Sequence, residues 1–440
     1  MYPVKNKVTI NVITLGCSKN LVDSEKFMGQ LSSDRFTVSH DSNEPSDVVV
    51  INTCGFIQDA KEESIDTILQ VVKARKLGLV RDVIVTGCLS ERYKDELSRE
   101  IPEVSAWYGA RDPGELLKSL HQKYEADQPK RLITTPKHYA YLKVSEGCDR
   151  TCSFCAIPAI RGQHKSVPQN LLIEEAVILA QQGVKELILV AQDLSYYGID
   201  LTGRSELASL LHELSEVKGI RWIRLHYAYP NKFPLGVLDL MRESDIICNY
   251  LDIPLQHIND KLLQSMRRGH GKNETLALLQ QMREKVPGIA IRTTLMTGYP
   301  GETEEAFREL MDFVEAMRFE RLGVFTYSPE EGTRAYSLGD PIPETVKQER
   351  ADALMEKQAE ISMDLNSRKT GKEVLVVIDR EEPGYYIGRT EMDSPEVDNE
   401  VYVKKITNLQ PGQFTRVIIT ETDAFDLYAE PVHADHIFSK

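Results

Sequence analysis

The sequence has no long hydrophobic run. Of its 440 residues, 41% are hydrophobic, but no stretch approaches the roughly 18 consecutive apolar residues that a membrane-spanning helix needs. The first ten residues, MYPVKNKVTI, also lack the apolar core and the small-residue cleavage site of a secretory signal. We therefore expect a cytoplasmic protein that does not enter a membrane.

Positive charge is also scarce. Lys and Arg number 53 against 67 Asp and Glu, a formal net charge of -14, and residues 370–440 alone hold 7 Lys and Arg against 14 Asp and Glu. Because Lys and Arg supply most non-specific affinity for RNA, we do not expect nucleic-acid binding as the main mode. An acidic segment suits a basic protein partner, although acidity of this kind also serves solubility alone.

Cysteines number only 7, and their odd count and uneven spacing do not fit a disulfide framework in a reducing compartment. Cys148, Cys152 and Cys155 form a CxxxCxxC triplet in EGCDRTCSFCAIP. Three thiolates on one loop can ligate three irons of a 4Fe-4S cluster and leave the fourth iron open. Zinc is the alternative, but a structural zinc site needs a fourth ligand, and neither a second CxxC pair nor an HxxxH follows.

Three more cysteines, Cys17, Cys54 and Cys88, each follow a predicted strand: VTINVITLG, DVVVINTC and RDVIVTGC. With the intervening amphipathic stretches and a final AWYGA, these runs predict a parallel α/β sheet. The carboxyl ends of such strands meet at one crevice, so the three thiols are expected to converge. The alternative is three separate buried cysteines. Cys248, in the apolar run DIICNY, is expected to be a core residue.

The alternation of strand and helix patterns predicts an α/β protein with five segments. Six strand candidates in the central segment are too few for a closed eight-stranded barrel, so they predict a partial (β/α)6 TIM-like barrel with its active face at the carboxyl strand ends. The tail predicts a small antiparallel β-barrel. The segments are an N-terminal α/β domain (1–122), a linker (123–138), the partial barrel (139–340), a connecting helix (341–369) and the tail barrel (370–440).

A CxxxCxxC triplet that opens a six-fold β/α pattern resembles the radical S-adenosylmethionine (SAM) enzymes. Together with the three separated cysteines and the tail barrel, it resembles the methylthiotransferase family, whose tail is called the TRAM domain, over nearly the whole chain. The resemblance implies two 4Fe-4S clusters, one on each cysteine triplet, with SAM as methyl donor and radical source. It implies an enzyme that places a methylthio group on an unactivated carbon.

The family has one branch that acts on adenosine in transfer RNA and another that acts on an aspartate of a small-subunit ribosomal protein. The stretches LGCSKNLVDSE (15–25) and DIPLQHIND (252–260) resemble the second branch, since the first typically has GCQMN and LPVQSGS. The resemblance implies methylthio transfer to the Cβ of an aspartate in ribosomal protein S-twelve, free or within the small ribosomal subunit, with an external one-electron donor. A transfer-RNA methylthiotransferase and a non-catalytic iron-sulfur scaffold are the alternatives.

The radical SAM resemblance also implies roles for residues at the ends of the central strands. Gln192, Asp193 and Arg224 match positions that hold the methionine and ribose parts of the cofactor. Gln256 and Met296 match the adenosine side, and Phe154 could offer its backbone to the adenine. The alternative is capping of strand ends by the polar residues and interior packing by Met296.

An aspartate substrate carries its charge beside the reacting carbon, so a cation should orient it. Arg161 and Lys165, just after the cysteine loop, are the candidates, and the alternative is that both lie on a solvated surface. No other catalytic side chain is assigned. We expect a monomer.

Overall fold

The computed structural model describes residues 7–125 and 130–432. Six of the first ten residues, in which we expected no secretory signal, therefore lie outside the described residues, as do four residues of the expected linker. So do the last eight residues, which contribute to the charge count of the tail.

The first sheet is parallel and has the strand order β2-β1-β3-β4-β5. β2 was not predicted, because FTVSH is a short edge strand in which only Phe36 is buried. The strand order reverses between β1 and β3, and in open α/β sheets ligands bind at such a point, outside the carboxyl ends of the strands. The elements are β1 (Val8–Thr14), α1 (Ser18–Gly29), β2 (Phe36–His40), β3 (Ser46–Thr53), α2 (Gln58–Lys76), β4 (Val80–Gly87), α3 (Cys88–Glu100), β5 (Ala106–Trp107) and α4 (Pro113–Ser119).

The second sheet is an open partial barrel of six parallel strands, which confirms the predicted fold class. Its order is β13-β12-β11-β10-β9-β6, and all six are strands that the sequence predicts. Two-residue strands, β7 (Ser145–Glu146) and β8 (Lys165–Ser166), pair beside it. The other strands are β6 (Tyr139–Lys143), β9 (Glu186–Val190), β10 (Trp222–Leu225), β11 (Ile247–Asp252), β12 (Ala290–Thr297) and β13 (Arg321–Thr326).

Helices cover the outer face of the partial barrel, where alternate strand residues such as Leu142 and Leu189 enter the main hydrophobic core. The other face carries Tyr141 and Val190, which pack against Val22 of α1. The first domain therefore covers part of the inner face of the partial barrel. The helices are α5 (Ile157–Arg161), α6 (Gln169–Gln181), α7 (Ile199–Thr202), α8 (Leu207–Ser215), α9 (Gly236–Glu243), α10 (Asp260–Ser265), α11 (Lys272–Lys285) and α12 (Glu304–Met317).

The described end of the expected linker ties these two domains together. Arg131 donates from Nε to Glu25 of α1 at 2.6 Å and from a terminal nitrogen to Glu175 of α6 at 3.1 Å. All three side chains are buried. Breaking such a buried group of charges is costly, so the position of the first domain on the partial barrel is fixed here.

After α13 (Glu344–Ser367), the tail forms a closed five-stranded barrel in the order β14-β15-β16-β18-β17. Four of its strand pairs are antiparallel, as predicted, and the β16–β18 pair is parallel. All five strands correspond to predicted runs. They are β14 (Glu373–Glu382), β15 (Tyr385–Arg389), β16 (Val401–Lys404), β17 (Phe414–Thr422) and β18 (Leu427–Pro431).

The loop between β15 and β16 enters the inner face of the partial barrel. Glu396 accepts a hydrogen bond from Tyr139 at 3.2 Å, Asp398 accepts one from Tyr250 at 2.8 Å, and buried Asp393 pairs with Arg321. Part of the acidic charge that we expected to face a partner is thus bonded within the chain, and Arg321 neutralises the charge of Asp393.

Candidate active site

The three separated cysteines meet at the carboxyl edge of the first sheet. Cys17 is the N-cap of α1, Cys54 directly follows β3, and Cys88 begins α3. A Cβ added to Gly16, which has a φ of 88°, would lie 2.6 Å from the Cβ of Cys54, and one added to Gly55 would lie 2.9 Å from the carbonyl carbon of Cys88. Glycine at both positions lets the three cysteine-bearing segments touch.

Asn20, which we did not predict as a site residue, holds these segments in place. It is fully buried, and its Nδ2 donates to the carbonyl oxygen of Leu15 at 2.9 Å and to that of Thr53 at 3.1 Å. Its Oδ1 lies 3.8 Å from Cys88 Sγ. The only sequence feature that pointed to Asn20 was its position three residues after Cys17. Near a helix N-terminus, asparagine is favoured because its side chain bonds to the backbone.

The CxxxCxxC triplet lies on the loop between β7 and α5. The loop is fixed by backbone hydrogen bonds from Cys148 to Gly162 at 3.0 Å and from Cys155 to Cys152 at 3.3 Å. Arg268 donates to Cys152 Sγ at 3.4 Å, which places a guanidinium group beside this triplet.

The two cysteine groups adjoin each other. Cys88 packs against Ala156 and Ile160, and Ala156 is the immediate neighbour of Cys155. The segments that carry the two cysteine groups are therefore in contact, which we did not predict from the sequence.

The donor sets fit iron-sulfur clusters better than a single metal ion. Among the described residues, no group of three or more His, Cys, Asp and Glu side chains is arranged to hold one ion. Three sulfurs on one zinc, each about 2.3 Å from the metal, would lie within about 4 Å of one another, whereas each thiolate of a cluster bonds a different iron.

Burial keeps most of these thiols protonated. It raises the pKa of Cys54 and of Cys148 to about 11, and that of Cys155 to about 12. Burial also opposes ionisation of Cys17, but the charges of Lys19 and Arg161 and two backbone N–H groups outweigh it and lower its pKa. Binding of iron must therefore displace protons from several thiols.

Arg161 does not have the free guanidinium that we expected of a substrate-orienting residue. Its Nε donates to Cys88 Sγ at 3.3 Å, one terminal nitrogen donates to Asp23 at 2.7 Å and to Glu146 at 3.3 Å, and the other donates to Asn20. The side chain is buried, and its hydrogen bonds to Cys88, Asp23 and Glu146 connect the two domains.

Lys165 is exposed on β8, with its backbone paired opposite Glu146. The structure therefore does not bring Lys165 together with the buried Arg161. Arg161 and Lys165 both follow the cysteine loop in the sequence, but the first is buried and the second is exposed.

Two predicted cofactor residues present unsatisfied acceptors. Gln192 donates to Glu146 at 3.0 Å, but its own Oε1 is buried without a hydrogen-bond partner, and the Oε1 of Gln256 is in the same state. Buried polar atoms are normally paired, so these oxygens fit the ammonium and hydroxyl donors of a ligand such as SAM. Asp193 accepts from Arg150 of the cysteine loop at 2.8 Å and from Ser195 at 2.9 Å.

The other expected cofactor residues differ in their surroundings. Met296 is 2% exposed and packs in an apolar cluster with Tyr299 and Tyr327, against which Phe154 also lies. Arg224 is away from them: it is fully buried, pairs with Glu186 at 2.8 Å, and donates to the backbone of Glu391 in the tail loop at 2.6 Å. We therefore assign Arg224 to the interface between partial barrel and tail and not to the cofactor.

Comparison with known proteins identifies all three domains. Residues 9–109 match the uncharacterized protein family UPF0004, residues 142–314 match the radical SAM superfamily, and residues 370–432 match the TRAM domain. The chain is 56% identical to the ribosomal protein uS12 methylthiotransferase RimO of Christiangramia forsetii, over 97% of this chain and 95% of the relative. It is 54% identical to the RimO of Flavobacterium johnsoniae, over 97% and 98%.

This chain belongs to the RimO methylthiotransferase family. As a RimO-family protein it is a radical SAM enzyme, with SAM and 4Fe-4S clusters as its cofactors, which confirms the prediction and sets aside the scaffold alternative. Among solved structures, the radical SAM methyltransferase TsrM from Kitasatospora setae is similar in fold. The TM-score is 0.53 at 15% identity, over 73% of this chain and 75% of TsrM. In the described part of this RimO-family chain, no helix is both long and apolar enough to cross a membrane.

Proposed function

We propose that this enzyme transfers a methylthio group to the Cβ of an aspartate in ribosomal protein uS12. The observation that carries the proposal is the junction of the two cysteine groups, where Cys88 of the first domain packs on Ala156, next to Cys155 of the second. A reaction that needs a sulfur group and a radical at one carbon requires such a junction, because the reacting atoms must be within contact distance. The high identity to uS12 methylthiotransferases supports the choice of substrate.

Each cysteine group has its own task in this proposal. The Cys17, Cys54 and Cys88 thiols hold the auxiliary cluster, and the loop with Cys148, Cys152 and Cys155 holds the radical cluster. When bound, the clusters and SAM supply the sulfur, the methyl group and the radical that removes hydrogen from Cβ. Gln192 and Gln256, with their unpaired buried oxygens, bind the polar groups of SAM.

Two other segments of the chain lie on the inner face of the partial barrel. Val22 of α1 packs on the inner face of the partial barrel, and the loop of the tail between β15 and β16 enters the same face through Glu396 and Asp398. Glu396 itself is exposed, so solvent still reaches the side of this face that carries the tail loop.

The partner in this proposal is a basic protein, free or within the small ribosomal subunit. Acids that remain exposed on the tail, such as Glu373 and Glu421, favour a basic protein over RNA, so nucleic-acid binding is not its main mode. The high identity to uS12 methylthiotransferases also does not favour the transfer-RNA alternative. We further propose that the enzyme works in the cytoplasm as a monomer and takes electrons from an external one-electron donor.

Mass spectrometry tests the proposal. The enzyme is reconstituted anaerobically with iron and sulfide, reduced, and incubated with SAM and either purified uS12, intact small subunits or transfer RNA. We expect a mass gain of about 46 Da, from H replaced by SCH3, on an aspartate of uS12 and none on transfer RNA. A gain on transfer RNA alone would overturn the proposal, and Cys148→Ala, which removes one thiol of the radical group, is the inactive control.

A further inference from the structure

We propose that Lys19 binds the side-chain carboxylate of the target aspartate, an inference that rests on the proposed function. Lys19 belongs to the first turn of α1, two residues after Cys17. Its Nζ lies 3.7 Å from the ring centroid of Tyr227, the second residue after β10. A side chain of the first domain thus reaches the carboxyl end of the partial barrel beside the auxiliary cysteines.

Lys19 differs from four other cations near this junction, because those four have carboxylate partners, whereas Arg268 donates to Cys152 Sγ and to the carbonyl oxygen of Pro254. Lys143 pairs with Glu146 at 2.7 Å, and Arg161 pairs with Asp23 and Glu146. Further round the inner face, Arg150 pairs with Asp193 at 2.8 Å and Arg292 pairs with Asp252 at 3.3 Å.

Within residues 7–125 and 130–432, Lys19 forms no ion pair with a carboxylate, and its Nζ contacts the ring of Tyr227. The negative charge of Asp252 also acts on Lys19, but Asp252 already pairs with Arg292. The ammonium group of Lys19 is therefore available for an incoming anion.

Two features of the position of Lys19 oppose a cation, while the neighbouring Tyr227 and Cys17 favour one. The first turn of a helix carries the positive end of the helix dipole, and the first turn of α1 contains no acidic residue that would compensate. Lys19 is half-buried, so water screens its charge only partly. A bound carboxylate would offset both costs, which gives a physical reason for a lysine here.

The geometry also suits the reaction. A carboxylate held by Lys19 brings the adjacent Cβ to the side of Cys17, at the junction where Cys88 and the radical cysteine loop adjoin. An asparagine of the same shape has no charge and would leave the ammonium group unpaired. Lys19 therefore acts as a residue that selects aspartate over its amide.

Peptide binding tests the inference on the reconstituted enzyme with SAM bound. Two fluorescein-labelled peptides of uS12 are compared by anisotropy, one with the target aspartate and one with asparagine in its place. We expect Lys19→Met, which keeps an apolar stem against Tyr227, to weaken binding of the aspartate peptide about 10-fold to 100-fold and to change binding of the asparagine peptide less than about 2-fold. Lys19→Arg, which keeps the charge, should retain the preference for aspartate.

The matched control is Lys73→Gln, which removes an exposed lysine on α2 of the same domain and should leave both affinities unchanged. Iron content separates a specific effect from damage to the clusters, and should equal that of the wild type in all variants. Equal weakening of both peptides by Lys19→Met, or no weakening of either, would overturn the inference. If the wild-type enzyme adds no methylthio group to uS12, the proposed function itself fails.

Discussion

Arg161 Nε lies 3.3 Å from Cys88 Sγ, so a residue of the partial barrel donates a hydrogen bond to a thiol of the first domain. The same guanidinium holds Asp23 of α1 and Glu146 of β7. Hydrogen bonds to cluster sulfurs and nearby charge set the reduction potential of an iron-sulfur centre. Arg161 therefore couples the placement of the two domains to the electronic properties of the auxiliary cluster.

Replacement of Arg161 by Met should shift the auxiliary cluster to a lower reduction potential, because the sulfur of Cys88 loses a cationic donor. It should also destabilise the fold by about 1.5–3 kcal/mol, because Asp23 and Glu146, both partly exposed, lose one cation but keep their pairs with Lys143. A redox titration followed by electron paramagnetic resonance measures the potential, and thermal unfolding measures the stability.

Arg111→Met is the control for Arg161. Arg111 also crosses the domain boundary, since its Nε donates to the carbonyl oxygen of Ile160 at 2.8 Å, but it contacts no cysteine sulfur in the described structure. It should leave the potential of the auxiliary cluster unchanged. An equal shift in both variants would show that domain placement, and not the hydrogen bond to sulfur, sets the potential.

Gly147, which directly precedes Cys148, should not tolerate a side chain. Its φ is 75°, and an added Cβ would overlap the carbonyl oxygen of Gln163. We expect Gly147→Ala to displace the CxxxCxxC loop and to lose roughly four of about eight irons, those of the radical cluster. Iron analysis and the yield of 5'-deoxyadenosine from SAM measure the effect.

Gly183→Ala provides the comparison, since Gly183 has a φ of 103° but no atom within 4 Å of an added Cβ. It should cost about 1–2 kcal/mol of strain and leave the iron content intact. Loss of iron in this variant as well would mean that backbone strain alone, without the overlap, disturbs the clusters.

The regular elements followed from the sequence because short β-branched runs bounded by turn residues determine them locally. All six strands of the partial barrel and all five of the tail were predicted in this way. We predicted that Arg161 orients the substrate. The sequence could not show its partners, because Asp23 is distant along the chain and Glu146 lies on another element. Arg224 was misplaced for the same reason: its partner in the tail is 167 residues away.

Cys248 should be dispensable for cluster binding. It is 1% exposed in β11, packs with Trp222 and Tyr250, and burial raises its pKa to about 12. We expect Cys248→Ala to keep the full iron content and to lose about 1 kcal/mol of stability from the small cavity. The same measurement on Cys88→Ala should show loss of roughly four irons, and a Cys248→Ala variant that lost as many would contradict this division of the cysteines.

Arg389 should be the main residue that holds the tail on the partial barrel. It donates to Glu186 of β9 at 2.8 Å and to Asp379 of β14 at 2.7 Å, and its side chain is 3% exposed. Arg389→Met leaves both carboxylates without this partner and should cost about 3–5 kcal/mol in urea unfolding. Arg416→Met removes an exposed pair with Glu373 on the tail surface and should cost at most about 1 kcal/mol.

The same interface should make the enzyme sensitive to acid. Burial opposes ionisation of Glu186, but Arg389 and Arg224 outweigh it and hold its pKa below the usual 4.5, and Arg389 likewise holds the pKa of Asp379 below 3.8. The unfolded chain therefore takes up protons on these groups at a higher pH than the folded chain does, and stability falls as the pH falls.

This contribution should be complete above about pH 5 and should be lost progressively as the pH falls through the lowered values of the folded state. Unfolding midpoints measured by circular dichroism between pH 6 and pH 3 would show the loss. Arg389→Met should flatten the dependence, since Glu186 and Asp379 then titrate nearer to their ordinary pKa in the folded chain. Arg416→Met should keep the wild-type slope, and an unchanged slope in Arg389→Met would assign the acid sensitivity to carboxylates outside this interface.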